Sequence, residues 1–224
     1  MNVRALSGQS EFAEAVELQK IIWGFDDLEL LPVRLFVVAS RIGGQTLGAF
    51  DGGRMAGFLL AIPGIKKDTG TPYLHSHMLG VLSDYRNRGV GRMLKSAQRE
   101  DALRRGIGLI EWTFDPFEAK NAYFNLERLG AIVQNYVPNM YGVRTSPLDG
   151  DLPTDRCIAE WWIGDRRTKG EVVARVALPP RKTHESQEAL ARELRRHFAD
   201  GLAITGFERS EDTGTYLLSP WPSK

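Results

Sequence analysis

A single cysteine, Cys157, leaves this chain of 224 residues with no internal disulfide and suits a reducing compartment. Four histidines and that one cysteine give no third ligand to accompany any close pair, so a zinc site is not expected. No apolar run approaches the roughly 20 residues of a membrane-spanning helix. The opening MNVRALSGQSEF carries no apolar signal core, and the expectation is a cytoplasmic protein without a membrane partner. An excess of one charge is also missing. Against 28 acidic residues stand 29 basic ones, a net charge of +1, so no broad electrostatic footprint for nucleic acid exists. Repeats and low-complexity tracts are absent as well. The remaining composition, 42% hydrophobic and 25% charged, is that of a globular protein with one large domain or two small ones.

The most informative stretch is His75 to Gly91, HSHMLGVLSDYRNRGVG. An apolar-alternating run leads into a turn in which Arg86, Gly89 and Gly91 hold an Arg-x-x-Gly-x-Gly spacing, flanked by Arg88 and Arg92, and a helical pattern follows at once. Glycines let a backbone approach a bulky anion and take positive φ without a Cβ clash. The first turn of a helix offers unpaired N–H groups and the positive end of a dipole. Arginines add charge-assisted hydrogen bonds to phosphate oxygens. Such a turn suits a diphosphate. A dinucleotide fingerprint would need a third glycine where Leu94 stands. A P-loop would need glycine directly before Lys95-Ser96, where Leu94 again stands.

The run Leu79-Gly80-Val81 and then Asp84 to Leu94 resembles the central motif of the GCN5-related N-acetyltransferases. Ala122 and Leu126 followed by Leu129-Gly130 look like that superfamily's next helix. The resemblance covers roughly residues 2–145 and is strongest over 75–130. It implies that the loop holds the pyrophosphate of acetyl-CoA or another acyl-CoA, with the pantetheine arm beside the strand that carries Leu79 and Val81. It also implies that a backbone N–H near Val81 polarises the thioester carbonyl. Many members carry a tyrosine where this chain has Leu126, which is a departure. The fold implied is α/β: a mixed, largely antiparallel sheet with a splayed parallel central strand pair flanked by helices, here with a C-terminal α+β extension.

The residue pattern supplies a matching order of elements. Asn2–Leu6 reads as a strand, Ser10 as the cap of a helix reaching Trp23, and Pro32 as the opening of a second helix that ends at Gly43-Gly44. Asp51-Gly52-Gly53 divides two short apolar runs and signals a hairpin. Tyr73–Val81 reads as a strand with His75, His77, Leu79 and Val81 on one face. A helix over Gly89–Arg105, a strand over Leu109–Phe114, a helix over Phe117–Leu129 and a strand over Ala131–Val137 follow. That alternation predicts parallel pairing with crossover helices. The expected division is a core of residues 1–145 and an extension of residues 146–224. In the latter, Leu148–Thr154 is a linker, Arg156–Ile163 and Glu171–Leu178 are strands, Thr183 caps a helix through Phe198, and a hairpin closes the chain. The extension either completes an acceptor pocket or forms a homodimer contact, and the sequence does not choose.

Three groups are candidates for the chemistry. His75 and His77 lie two apart on a strand, and an imidazole titrating near ~6.5 can take a proton from an attacking amine. The pattern His-x-His-x-Leu-x-Val is similar to that of the aralkylamine acetyltransferases, whose paired histidines line the active site. His77 is the first candidate for the base and His75 the second; packed strand residues are the alternative. Tyr123 is the candidate acid for the departing thiolate, with Tyr136, Tyr141 or water as substitutes. Asn121 and Asn125, four apart on one helix, could bind the amides of the pantetheine arm or simply face solvent. Trp23, Phe25 and Arg34 could line the acceptor pocket. Cys157 lies outside every motif and is not expected to be a nucleophile. The sequence therefore points to an acyl-CoA-dependent N-acyltransferase without a metal, acting on a small amine or amino acid by direct attack, with acetyl or succinyl as the group transferred. A coenzyme A-binding sensor or scaffold without turnover is the alternative.

Overall fold

The computed structural model describes residues 1–142, 152–164, 168–211 and 213–221. They form two compact units that divide between Ile110 and Glu111. The fold class is α/β, a mixed sheet of mostly antiparallel strands with one parallel pair and flanking helices. Among the described residues no helix is long and apolar enough to cross a membrane.

In the first unit, β1 (Asn2–Ala5), β2 (Gln45–Asp51), β3 (Arg54–Ile65) and β4 (Pro72–Val81) lie side by side in that order, each antiparallel to the next. The hairpin expected at Asp51-Gly52-Gly53 is present: Asp51 pairs with Arg54, and Gly52 turns at φ +60°. The helices α1 (Gly8–Trp23) and α2 (Val33–Arg41) bury Phe12, Ala15, Leu18, Phe36 and Ala39 against Met55, Phe58 and Leu60 of β3. Each fully buried side chain of Phe or Leu size contributes about 1.5–3 kcal/mol. α3 (Val90–Arg104) follows β4 and ends before Gly106, at φ +72°.

Helix α1 starts earlier than its sequence suggested. Ser7, not Ser10, occupies the cap position, and its backbone N–H donates to the Glu11 carboxylate at 2.7 Å. Arg4 holds the same carboxylate at 2.6 Å. An acidic side chain reaching back over the first turn thus replaces a capping hydroxyl.

A larger correction concerns β4. Leu60 pairs with Met78 and Ala61 with Ser76, so His77 is an extra residue in a β-bulge. Residues directly opposite on paired strands share a face, which places Ser76 with Leu79 and Val81, and His75 with Met78. The expected common face for His75, His77, Leu79 and Val81 is therefore broken at the bulge. One inserted residue reverses the alternation.

In the second unit the strand order is β5-β7-β6-β9-β10-β8, with β5 (Leu109–Phe114), β6 (Ile132–Val137), β7 (Arg156–Trp162), β8 (Ala174–Ala177), β9 (Leu202–Arg209) and β10 (Gly214–Pro220). The first two residues of β5 belong to the first unit. α4 (Ala119–Tyr123) passes directly into a π-helical turn, Phe124–Arg128. α5 (His184–Ala199) begins with a reciprocal capping box in which Thr183 Oγ1 accepts from the Ser186 N–H at 3.1 Å, and Ser186 Oγ accepts from the Thr183 N–H at 2.8 Å. It buries Leu190 and Leu194. Residues after Arg156 are knitted to those before it within this unit. Tyr216 donates to the Pro116 carbonyl, Glu127 accepts from the Phe207 N–H at 2.7 Å, and Val133 pairs with Ile204. The expected linker Leu148–Thr154 lies mostly outside the described residues.

Candidate active site

The candidate anion-binding turn is built by β4, a short 3-10 turn at Ser83–Tyr85 and the start of α3. Gly89 holds the cap position of α3 at φ +82°, with no side-chain capping bond and open space where a Cβ would stand. Only glycine takes that conformation readily, and the N–H groups of the first turn have no partner within the helix. Asn87 is also left-handed, at φ +60°. Gly91 is different: it has ordinary φ, and a Cβ there would meet only Leu79 Cδ2 at 3.6 Å. Val90 is buried and anchors the turn, whereas Arg86, Arg88 and Arg92 are exposed. Arg86 Nε donates to the Val81 carbonyl at 3.2 Å, and the Arg88 guanidinium lies 5.6 Å from the centre of the Tyr85 ring. The loop thus offers a glycine-opened helix start with cationic side chains at its rim, which fits a diphosphate. Leu79 and Val81 lie on the strand that leads into it.

His75 and His77 come together despite the bulge, with ring centroids 5.6 Å apart. His75 is half-buried and His77 exposed. Burial, reinforced by the nearby His77 and Lys95, lowers His75 to about 4, so it is neutral at physiological pH and a weak proton acceptor. Behind them, Ser76 and Lys95 are both buried, and Lys95 Nζ donates to Ser76 Oγ at 2.9 Å. Burial pushes the Lys95 ammonium well below its usual range. Lys95 and its neighbour Gln98 carry no sequence motif. The signal for Gln98 was its place in the stripe Val90, Leu94, Gln98 and Ala102, where a polar residue fills an apolar slot.

The asparagines part company. Asn121 is exposed, while Asn125 is buried and accepts from the Trp112 indole N–H at 3.1 Å. The change from α to π geometry between them removes the simple four-residue stacking. Tyr123 is half-buried, with the Arg128 guanidinium 5.4 Å from its ring centre. Leu126 is fully buried. Tyr136 donates to Asp155, and burial raises its pKa, which weakens it as an acid. Tyr141 shares a hydrogen bond with Thr113. Cys157 is buried, and burial followed by Asp115 and Asp155 pushes its thiol pKa upward, away from a reactive thiolate. Trp23 stacks on Phe25 at 5.5 Å and meets Phe58 edge-on, and Arg34 is exposed. Among the described residues no group of three or more His, Cys, Asp or Glu is placed to hold a metal.

The sequence profile of the acetyltransferase (GNAT) family matches residues 13–131, just over half of the chain. The chain belongs to that family. No curated protein matches it. Among solved structures it is similar to aminoglycoside 6'-acetyltransferase type Ii, at 19% identity and a TM-score of 0.58 over 75% of this chain and 100% of that one. It is also similar to the ribosomal-protein-S18-alanine N-acetyltransferase from Escherichia coli, at 19% identity and a TM-score of 0.57 over 75% of this chain and 98% of that one. Arabidopsis thaliana Naa50, solved with the bisubstrate analogue CoA-Ac-MVNAL, is 14% identical with a TM-score of 0.53 over 71% of this chain and 96% of that one. These likenesses are of fold.

Proposed function

We propose that this protein transfers an acyl group from acetyl-CoA, or a related donor such as succinyl-CoA, to the amine of a small molecule or amino acid. The observation that carries the reading is the glycine-opened start of α3, where Gly89 is left-handed and Arg86, Arg88 and Arg92 stand at the rim. The diphosphate of coenzyme A is the ligand such a turn suits. The donor is a substrate rather than a resident cofactor, and no metal enters the chemistry.

The amine nitrogen attacks the thioester carbonyl and forms a tetrahedral intermediate. His77 takes the amine's proton, directly or through water, and the intermediate collapses to an amide while the C–S bond breaks. The thiolate leaves to coenzyme A and gains a proton from the Tyr123 hydroxyl or from water. A backbone N–H near Val81 would stabilise the oxyanion. His77 is preferred to His75 because the lowered pKa of His75 makes it the poorer base. Residues 1–145 then form the catalytic core, and residues 146–224 are its extension. A cytoplasmic setting is consistent with the single buried cysteine.

One observation favours a second reading, coenzyme A binding without turnover: the fully buried Leu126 stands where many relatives of this fold are expected to place their acid. An amine library screened against acetyl-CoA and succinyl-CoA, with mass-spectrometric detection of products, decides. An acylated product supports the transferase reading. Coenzyme A binding with no product across the library supports the sensor.

A further inference from the structure

Three residues in register across the strands of the first unit lie beneath α3. Gln45 on β2 pairs with Ala61 on β3, and Ala61 pairs with Ser76 on β4. The two outer positions are joined through the helix by a continuous run of hydrogen bonds. Gln45 Nε2 donates to the Asp101 carboxylate at 2.7 Å and to the Gln98 carbonyl at 3.0 Å, while Gln98 Nε2 donates to Gln45 Oε1 at 3.0 Å. Lys95 Nζ donates to Gln98 Oε1 at 3.1 Å and to Ser76 Oγ at 2.9 Å. Gln45, Ser76, Lys95 and Gln98 are all at most 5% exposed. Burying an amine is costly, and an apolar side chain of the same length would fill this space without that cost.

The end of the run is informative. Ser76 sits between His75 and His77 and directly precedes the bulge residue. A bulge leaves its extra residue out of the ladder, so the ladder alone fixes its geometry weakly. We propose that Lys95 is a positioning residue, which pins Ser76 from the far face of the sheet, sets the His75–His77 pair, and ties that pair to the helix that opens at Gly89. Register places His75 on the face opposite Ser76, so the Lys95–Ser76 hydrogen bond bears on the imidazoles through the strand. This inference rests on the transferase reading and on His77 as base.

The test uses the full chain with Lys95→Met, Ser76→Ala and both together. Acetyl transfer should fall on the order of tenfold or more in kcat in each single variant, since small misplacements of a catalytic group are costly. The double variant should fall no further than the worse single one, because both substitutions break one contact. The KM for acetyl-CoA and the coenzyme A affinity by calorimetry should hold. In ligand-free Lys95→Met, the through-space ring-proton contact between His75 and His77 should weaken in NMR spectra. Ser76→Ala removes only a hydroxyl and decides the kinetic question should Lys95→Met fail to fold. Full kcat in Ser76→Ala, additive losses in the double variant, or an unaltered ring contact in Lys95→Met overturns the proposal. Absence of acetyl transfer in the wild type would instead overturn the transferase reading, and the ring contact would still report on Lys95.

Discussion

The imidazoles of His75 and His77 stay 5.6 Å apart although a bulge separates them from the face that Leu79 and Val81 share. Proximity of two titratable rings means that a proton on one disfavours a proton on the other. Burial disfavours the charged form of His75, which leaves the exposed His77 as the proposed base.

His77→Gln should therefore remove the acidic limb of kcat/KM, after correction for the titration of the amine. The loss in rate at neutral pH should be on the order of 10²–10⁴. Coenzyme A affinity should be unchanged, since His77 is not part of the arginine-glycine turn. His75→Gln should keep the limb and lose less. Stopped assays from pH 5 to 9 check both variants. Retention of the full rate and the same limb in His77→Gln would show that His77 is only a strand residue.

The same lowered pKa makes a stability statement. His75 has an ordinary value of 6.5 in the unfolded chain and about 4 in the fold. Between those values the unfolded chain binds a proton that the native state refuses, so stability rises with pH across the window. The contribution is present above pH 6.5 and is lost as pH falls to about 4. Its size is on the order of 1–3 kcal/mol for such a shift. Urea unfolding at pH 7 and pH 4.5 should show a steeper acid loss in the wild type than in His75→Gln. Parallel losses in the two proteins would refute it.

Much of this architecture was legible because its signals are local. The Asp51-Gly52-Gly53 hairpin, β5 over Leu109–Phe114 and the Thr183 cap of α5 follow from turn chemistry, apolar patterning and capping. The glycine-arginine loop was legible too, because glycine spacing and charge survive in sequence. The bulge at His77 was not. Alternation is read in steps of two, and one extra residue between Ser76 and Met78 leaves no compositional mark. The π turn at Phe124–Arg128 is hidden for the same reason, and in it Asn125 is buried and accepts from the Trp112 indole. Lys95 was hidden because a single lysine in a charged helix reads as solvent-facing; only its neighbours in space reveal burial.

Cys157 tests the direct-attack mechanism. Its side chain is buried, and the raised thiol pKa keeps it protonated, so an acyl-enzyme on sulfur has no thiolate to form it. Cys157→Ala should keep most of the activity at a stability cost of about 1 kcal/mol for the small cavity. Initial rates with both substrates varied should give intersecting lines. Parallel lines together with an inactive but folded Cys157→Ala would require a covalent intermediate.

Gly89 and Gly91 separate what the fold needs from what a ligand needs. Gly89 is left-handed at φ +82°, so any side chain there strains the backbone and disturbs the start of α3 whether or not coenzyme A binds. Gly91 has ordinary φ, and an added Cβ meets only Leu79 Cδ2 at a comfortable 3.6 Å. Alanine at that helical position should leave stability unchanged or raise it by about 0.4–1 kcal/mol through the unfolded state. The fold therefore gives no reason for glycine at 91, whereas close approach of a phosphate to the helix start does. Gly91→Ala should melt at or above the wild-type temperature and yet bind coenzyme A more weakly. Arg86→Ala and Arg88→Ala should each weaken binding by about 1.5–3 kcal/mol, the range for a charged hydrogen bond. Calorimetry beside thermal melts resolves the two effects. A Gly91→Ala protein with full affinity for coenzyme A would move the diphosphate away from the first turn of α3 and remove the main support for the assigned loop.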